Sequence, residues 1–205
     1  MVRLPALLLL VLTLAACAAP ATPTPPPTTE PVVVATSAPT SAPPVIVSAP
    51  ATLTLTSTVF AEGTPIPVEF SCDGTNVSPP LAWSAVPAGT QSLVLIVEDL
   101  TEGNYTHWVL FNVGADTTAL AADIADGEEI IGTGRHAQNS SGNPGYDGPC
   151  PDPGDTNTYT LTLYALDTTL QLLSDPTVPL SKGMVRDAMQ GHILGEGILT
   201  AIYTR

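Results

Sequence analysis

Basic side chains are scarce: 5 Lys and Arg stand against 19 Asp and Glu in 205 residues, a formal net charge of −14. Nucleic acid is held through a Lys/Arg footprint on its phosphates, so it is excluded as a partner. Histidine is rarer still, and His107, His136 and His192 show no ligand spacing, so neither a metal nor a cofactor is expected. No GxSxG elbow and no HExxH helix occurs, which removes two common hydrolase signatures. No segment repeats at a fixed period, which excludes solenoids and propellers. The apolar run from Ala6 to Leu14 is too short for the roughly 20 residues that cross a bilayer as a helix.

What the chain does have begins with that run. Arg3 precedes it, and it ends in Leu14-Ala15-Ala16-Cys17, which resembles a bacterial lipobox. Small residues before the cut suit a narrow protease pocket, and the Cys17 thiol would carry the diacylglycerol. Residues 1–16 therefore read as a signal peptide, and the mature protein as exported to the bacterial cell envelope and lipid-anchored to a membrane. Residues 18–50 hold 10 of the 22 prolines, with Glu30 as the only charge and no Gly. Such a composition favours polyproline II and cannot bury a core. Residues 17–50 read as the lipidated Cys17 plus a disordered spacer, able to reach about 100 Å at roughly 3.1 Å per residue.

Residues 51–205 form the folded domain, and strand signals dominate it. Leu53, Leu55 and Ser57 alternate with threonines, a period of two. Ser92 to Val97 is a continuous apolar run, as a strand covered on both faces would be. His107 to Val113, Tyr159 to Leu166 and Ile198 to Thr204 predict further strands. One helix is expected, with Ser181 as N-cap, Met184, Val185, Ala188 and Met189 on one face, and Gly191 closing it. The class is mainly β, a β-rich α+β fold with short helical structure near the C-terminus. A long loop from Gly132 to Asn157 carries Gly145-Tyr146-Asp147-Gly148-Pro149-Cys150-Pro151; loops of that length in a compact domain are usually functional or disordered, and its Gly and Pro residues favour a fixed path.

The stretch Phe70-Ser71-Cys72-Asp73-Gly74-Thr75-Asn76-Val77-Ser78-Pro79-Pro80-Leu81-Ala82-Trp83 resembles a signature of the phosphatidylethanolamine-binding protein family, in its bacterial and archaeal Raf kinase inhibitor-like branch. Ser92 to Asp99, His107-Trp108-Val109, the Gly145 to Pro151 loop, Tyr159 with Leu163 to Asp167, and Gly191-His192-Ile193-Leu194 follow in the family's order. The resemblance covers about residues 52–205. It implies a central antiparallel sheet packed on a smaller one, and a small anion-accepting pocket at one end of the strands. Asp99 and His107 match the family's pocket acid and histidine, and Gly148, Pro149 and Pro151 its wall loop. Tyr159 matches the tyrosine of a His-Arg-Tyr stretch, which here reads Asn157-Thr158-Tyr159. The family's Asp-Pro-Asp-Ala-Pro reads Asp99-Leu100-Thr101-Glu102-Gly103, and its Pro-Pro reads Pro151-Asp152. Weaker or altered anion binding is the expectation, because two donors are gone and a neutral Asn157 amide donates less strongly than a charged group.

The candidate ligand-binding set is Asp99, His107, Tyr146, Gly148, Pro149, Pro151, Asn157 and Tyr159. The expected role is binding, not catalysis, with a small anion or a phospholipid head group as ligand. The resemblance also admits an inhibitor of an extracytoplasmic protease or kinase. A hydrolase would need Asp99 and His107 to act on a nucleophile such as Ser140, Ser141 or Cys150, and Asp99 otherwise serves to orient His107. Cys72 and Cys150 are an even pair in an oxidising compartment, open to a disulfide or to two buried thiols. The family fold should bring the Cys72 turn towards the pocket loop, which favours the bond. The acidic surface disfavours lying flat on anionic lipid, as suits a domain held off the membrane by a spacer.

Overall fold

Alternating and continuous apolar runs give ten strands and one α-helix in the computed structural model, which describes residues 49–103 and 105–205. The expected signal peptide, Cys17 and nearly all of the spacer lie outside the described residues. In chain order the elements are β1 (Ala51–Thr52), β2 (Leu55–Ser57), β3 (Leu81–Trp83), β4 (Ser92–Asp99), β5 (Tyr105–Gly114), β6 (Ala119–Leu120), β7 (Glu129–Ile130), β8 (Gly134–His136), β9 (Thr156–Leu166), α1 (Lys182–Met189) and β10 (Ile193–Thr204). A seven-stranded sheet runs β1-β10-β9-β4-β5-β8-β7, and a three-stranded sheet runs β2-β3-β6. All the pairings are antiparallel except β1 with β10. The mainly-β class and the large-sheet-on-small-sheet plan both hold.

All eight residues of β4 are buried, because the strand is covered on both faces. Leu93, Leu95 and Val97 point into a core shared with the small sheet, where Trp83, Leu161 and Leu163 meet them. Val94 and Ile96 point the other way, into a second core with Val185 and Met189 of α1. Each such side chain contributes about 1.5–3 kcal/mol on burial. The helix begins where Ser181 Oγ accepts the Met184 amide at 3.4 Å, and Gly191 leaves it at φ +80°.

Two segments depart from the sequence reading. The alternating Thr52–Thr58 run is not one strand: β1 adds to β10, Leu53 N donates to Glu196 O, and the chain then crosses to pair β2 with β3. Leu53 and Leu55 stay buried throughout, so the period of two records burial and not one continuous ladder. The expected 132–157 loop is shorter, because Gly134–His136 pairs with β5 and Thr156 and Asn157 already belong to β9.

Candidate functional site

At the open end of the large sheet, register places three residues in one row. Asp99 faces Tyr105 of β5 on one side and Tyr159 of β9 on the other. Next to this row the β4–β5 ladder slips: Val97 pairs with Trp108 and Glu98 with Thr106, which leaves His107 as an extra, unpaired residue. A β-bulge of this kind re-aims side chains by breaking the two-residue alternation. It brings Tyr105, His107 and Trp108 towards the same face, and without it Tyr105 and Trp108 would oppose one another. The His107 ring centre lies 4.8 Å from that of Tyr105 and 5.2 Å from that of Tyr159, the latter edge-on.

These rings wall a cavity of about 120 Å³. Asp99, Glu102 and Asp147 supply its carboxylates, and Gly148 and Cys150 its far side. Asp99 is 2% exposed and accepts three hydrogen bonds, from the Thr101 amide at 2.7 Å, the Glu102 amide at 3.1 Å and Asn157 Nδ2 at 2.7 Å. Asn157 Nδ2 also reaches Glu102 Oε1 at 3.1 Å. Asp147 Oδ2 accepts from Ser141 Oγ at 2.6 Å and Tyr105 Oη at 3.2 Å. The Tyr159 hydroxyl is buried beside the Asp99 carboxylate and the Asn157 amide, and among the described residues it makes no hydrogen bond of good geometry. Burial, then the negative charge of Asp99, holds its phenol well above the ordinary value.

His107 does not lean on Asp99. Its Nδ1 lies 2.7 Å from the backbone carbonyl of Asp147, which can only accept, so Nδ1 carries the proton and Nε2 keeps its lone pair. Burial lowers the pKa of His107, against the opposing pull of the Asp147 carbonyl and the charges of Asp147, Asp99 and Glu102. At neutral pH the imidazole is therefore uncharged. The expectation that Asp99 orients His107 is corrected: the Asp147 backbone carbonyl holds the ring and sets its tautomer. Among the described residues no hydroxyl or thiol bonds to His107 either. Ser140 Oγ accepts from the Thr106 amide, Ser141 is bonded to Asp147, and Cys150 is oxidised, so no nucleophile–base pair is assembled among the described residues.

Cys72 and Cys150 form a disulfide across 78 residues. It ties the wall loop to the Ser71–Asn76 turn, where Cys72 N donates to Pro149 O and Gly148 N to Asn76 Oδ1 at 2.8 Å. A β-carbon on Gly148 would lie 2.4 Å from Asn76 Oδ1 and 2.6 Å from Phe70 O, so only glycine passes here.

Of the residues expected from sequence, Asp99, His107, Gly148 and Tyr159 line the cavity. Asn157 stands behind it, bonded to Asp99. Pro149 and Pro151 are buried outside the lining. Tyr146 turns away, its hydroxyl on Phe70 O at 2.7 Å and its ring edge-on to Trp108. Sequence reasoning missed Glu102, Tyr105, Asp147 and Cys150 as lining. Tyr105 was reachable from period-two spacing to His107, and Asp147 sat inside the wall-loop motif.

The lining contains no Lys or Arg. All four basic side chains among the described residues are in ion pairs elsewhere: Arg135 with Glu128, Lys182 and Arg186 with Glu98, and Arg205 with Asp73. Glu98 and Asp99 are neighbours at the tip of β4, and strand alternation sends the first towards α1 and the second into the cavity.

The large sheet, the small sheet and the convergent polar cavity at the strand ends define a binding-type β domain. The phosphatidylethanolamine-binding protein family profile matches residues 56–204, and the chain belongs to that family. A UPF0098 protein of Methanothermobacter thermautotrophicus is 43% identical over 142 residues, covering 68% of this chain and 91% of its own. A Mycobacterium tuberculosis protein named as a lipoprotein, LppC, is 41% identical over 143 residues, covering 68% of each chain. The crystal structure of a Chlamydia trachomatis homolog of the family matches with a TM-score of 0.64 at 34% identity, over 75% of this chain and 98% of that one. Escherichia coli YbcL, described as a member of the mammalian family, matches with a TM-score of 0.65 at 28% identity and the same coverage.

Proposed function

We propose that this chain is an exported binding module, tethered to a membrane through a lipidated Cys17 and a proline-rich spacer. Its cavity takes a small polar group of the phospholipid head-group class. The observation that carries the reading is the Tyr159 hydroxyl, buried without a hydrogen bond of good geometry among the described residues, on a cavity that the strand register assembles from three strands. Buried hydroxyls without a partner cost about 1–3 kcal/mol, and a bound ligand would relieve that cost. A relative named as a lipoprotein supports the tether. A lone anion suits the site poorly, because the lining holds three carboxylates and an uncharged imidazole.

The test is a titration of the full chain, in detergent, with phosphorylethanolamine. A ligand that binds only the native state raises the melting temperature with concentration over Kd. The expected result is such a rise, abolished in His107→Ala. No rise with phosphorylethanolamine, phosphate or ethanolamine would reject the reading and turn the search to protease or kinase partners.

A further inference from the structure

The two halves of the disulfide differ in access: Cys150 is exposed, and Cys72 is half-buried. Cys150 stands between Pro149 and Pro151, both buried, and their fixed φ angles stiffen the backbone that presents it. A disulfide is opened by a thiolate that reaches one of its sulfurs, so access makes Cys150 the point of attack. Exposed disulfides are the labile ones, in contrast to the buried bonds that only staple a fold.

A cation stands at the same sulfur. Arg205 Nη1 donates to Cys150 Sγ at 3.5 Å, while its Nε is held on Asp73 Oδ1 at 3.1 Å. Asp73 follows Cys72 in the chain and also accepts from Tyr203 Oη at 2.8 Å, so the guanidinium is anchored beside the bond. A guanidinium next to a sulfur stabilises the thiolate form of that sulfur. The other groups nearby carry the opposite sign: Asp99, Glu102 and Asp147 line the cavity with Cys150, and they repel an anionic thiol.

We infer that Cys72–Cys150 is a thiol-exchange site, opened at Cys150 by a dithiol partner, and that it latches the wall of the cavity. In the first step the partner's thiolate bonds to Cys150 Sγ and the Cys72–Cys150 bond breaks. Its electron pair leaves on Cys72 Sγ, which takes a proton from water. In the second step the partner's other thiolate attacks the partner sulfur of the mixed disulfide and expels Cys150 as a thiolate paired with Arg205. The partner ends as a disulfide, and the two cysteines end reduced. The wall then keeps the bonds from Cys72 N to Pro149 O and from Gly148 N to Asn76 Oδ1, without the covalent tie. Asp147, whose carbonyl holds His107 Nδ1, lies on the same short loop, so the latch is felt at His107. None of this depends on which ligand the cavity takes.

The full chain in detergent is reduced at neutral pH with dithiothreitol, an uncharged dithiol. The expected rate is proportional to dithiothreitol and unmoved by urea below the unfolding transition. A rate that climbs with urea as unfolding does means that only the unfolded chain is reduced, and overturns the inference. The monothiol 2-mercaptoethanol, followed by alkylation of the released thiol, captures the first step. Peptide maps, which keep Cys17 apart, should place the mixed disulfide on Cys150 over Cys72 by at least about tenfold. An even split, or Cys72 preferred, overturns the assignment. Arg205 is read in a Cys72→Ser chain carrying 2-mercaptoethanol on Cys150. Arg205→Ala should slow its release by dithiothreitol about threefold to tenfold, and Arg205→Lys should restore most of the rate. Equal or faster release in Arg205→Ala removes the guanidinium from the reaction. On reduction the His107 ring resonances should move and those of His136 stay; an unmoved His107 overturns the latch.

Discussion

Asp99 and Tyr159 are register partners across β4 and β9, yet among the described residues Asp99 accepts three hydrogen bonds of good geometry and the neighbouring Tyr159 hydroxyl makes none. The carboxylate is satisfied by its own strand end and by Asn157, two residues before Tyr159 on β9. The phenol is thereby left facing an acceptor with its donors already in place. A fold that needed this tyrosine for packing alone would be served equally by phenylalanine.

Tyr159→Phe separates the two roles. Removing a buried hydroxyl that makes no hydrogen bond of good geometry should leave the free protein as stable as before, or more stable by about 1 kcal/mol. The same change should cost ligand affinity about threefold to tenfold if the hydroxyl meets the ligand. Denaturant unfolding and phosphorylethanolamine calorimetry on the two proteins check both halves. A clear loss of stability would show that the hydroxyl has a structural partner.

The disulfide braces the wall against the Ser71–Asn76 turn, so its loss should be felt in stability and in binding together. Closing a loop of 78 residues stabilises by about 4–5 kcal/mol in the chain-entropy limit, and native bonds commonly contribute about 2–5 kcal/mol. Urea unfolding with and without reductant should show a lower midpoint in the reduced protein, with phosphorylethanolamine binding weakened. An unchanged midpoint would mean that the hydrogen bonds from Cys72 N to Pro149 O and from Gly148 N to Asn76 hold the loop unaided.

The strands that carry the site were legible because burial writes itself into composition. Ser92–Asp99 is apolar without a break since both faces are covered, and Ser181 and Gly191 marked α1 by capping chemistry. The bulge at His107 was not legible, because a register slip is a property of two strands and not of one. The family's Asp-Pro-Asp-Ala-Pro has Thr101 in place of its second acid here, yet the turn after β4 brings the Glu102 carboxylate, one residue on, into the lining. Nor could the sign of the cavity be read from the sequence. It depends on where the four basic side chains pair: none of them lines the cavity, and Arg205, paired with Asp73, touches only Cys150 Sγ at its edge.

Acid should act on this domain through its buried histidines. His107 is held below its ordinary value by burial, as is His136, whose Nε2 accepts the Trp108 indole at 2.9 Å and whose Nδ1 meets Gly127 O. Between each folded value and the unfolded value of 6.5 the unfolded chain binds more protons, so stability is full above that window and falls as pH drops through it. The melting temperature should therefore fall from neutral to mildly acidic pH; a flat or rising profile would contradict it. Binding gives the sharper reading. Around His107 stand Asp99, Glu102, Asp147, Tyr105 and Tyr159, and a proton on its imidazole would compete with a bound ammonium for the same acceptors. The affinity of an ammonium ligand should weaken as His107 becomes charged, whereas an anion in the same cavity would bind more tightly, so the slope of affinity against pH decides the polarity of the ligand without knowledge of its name.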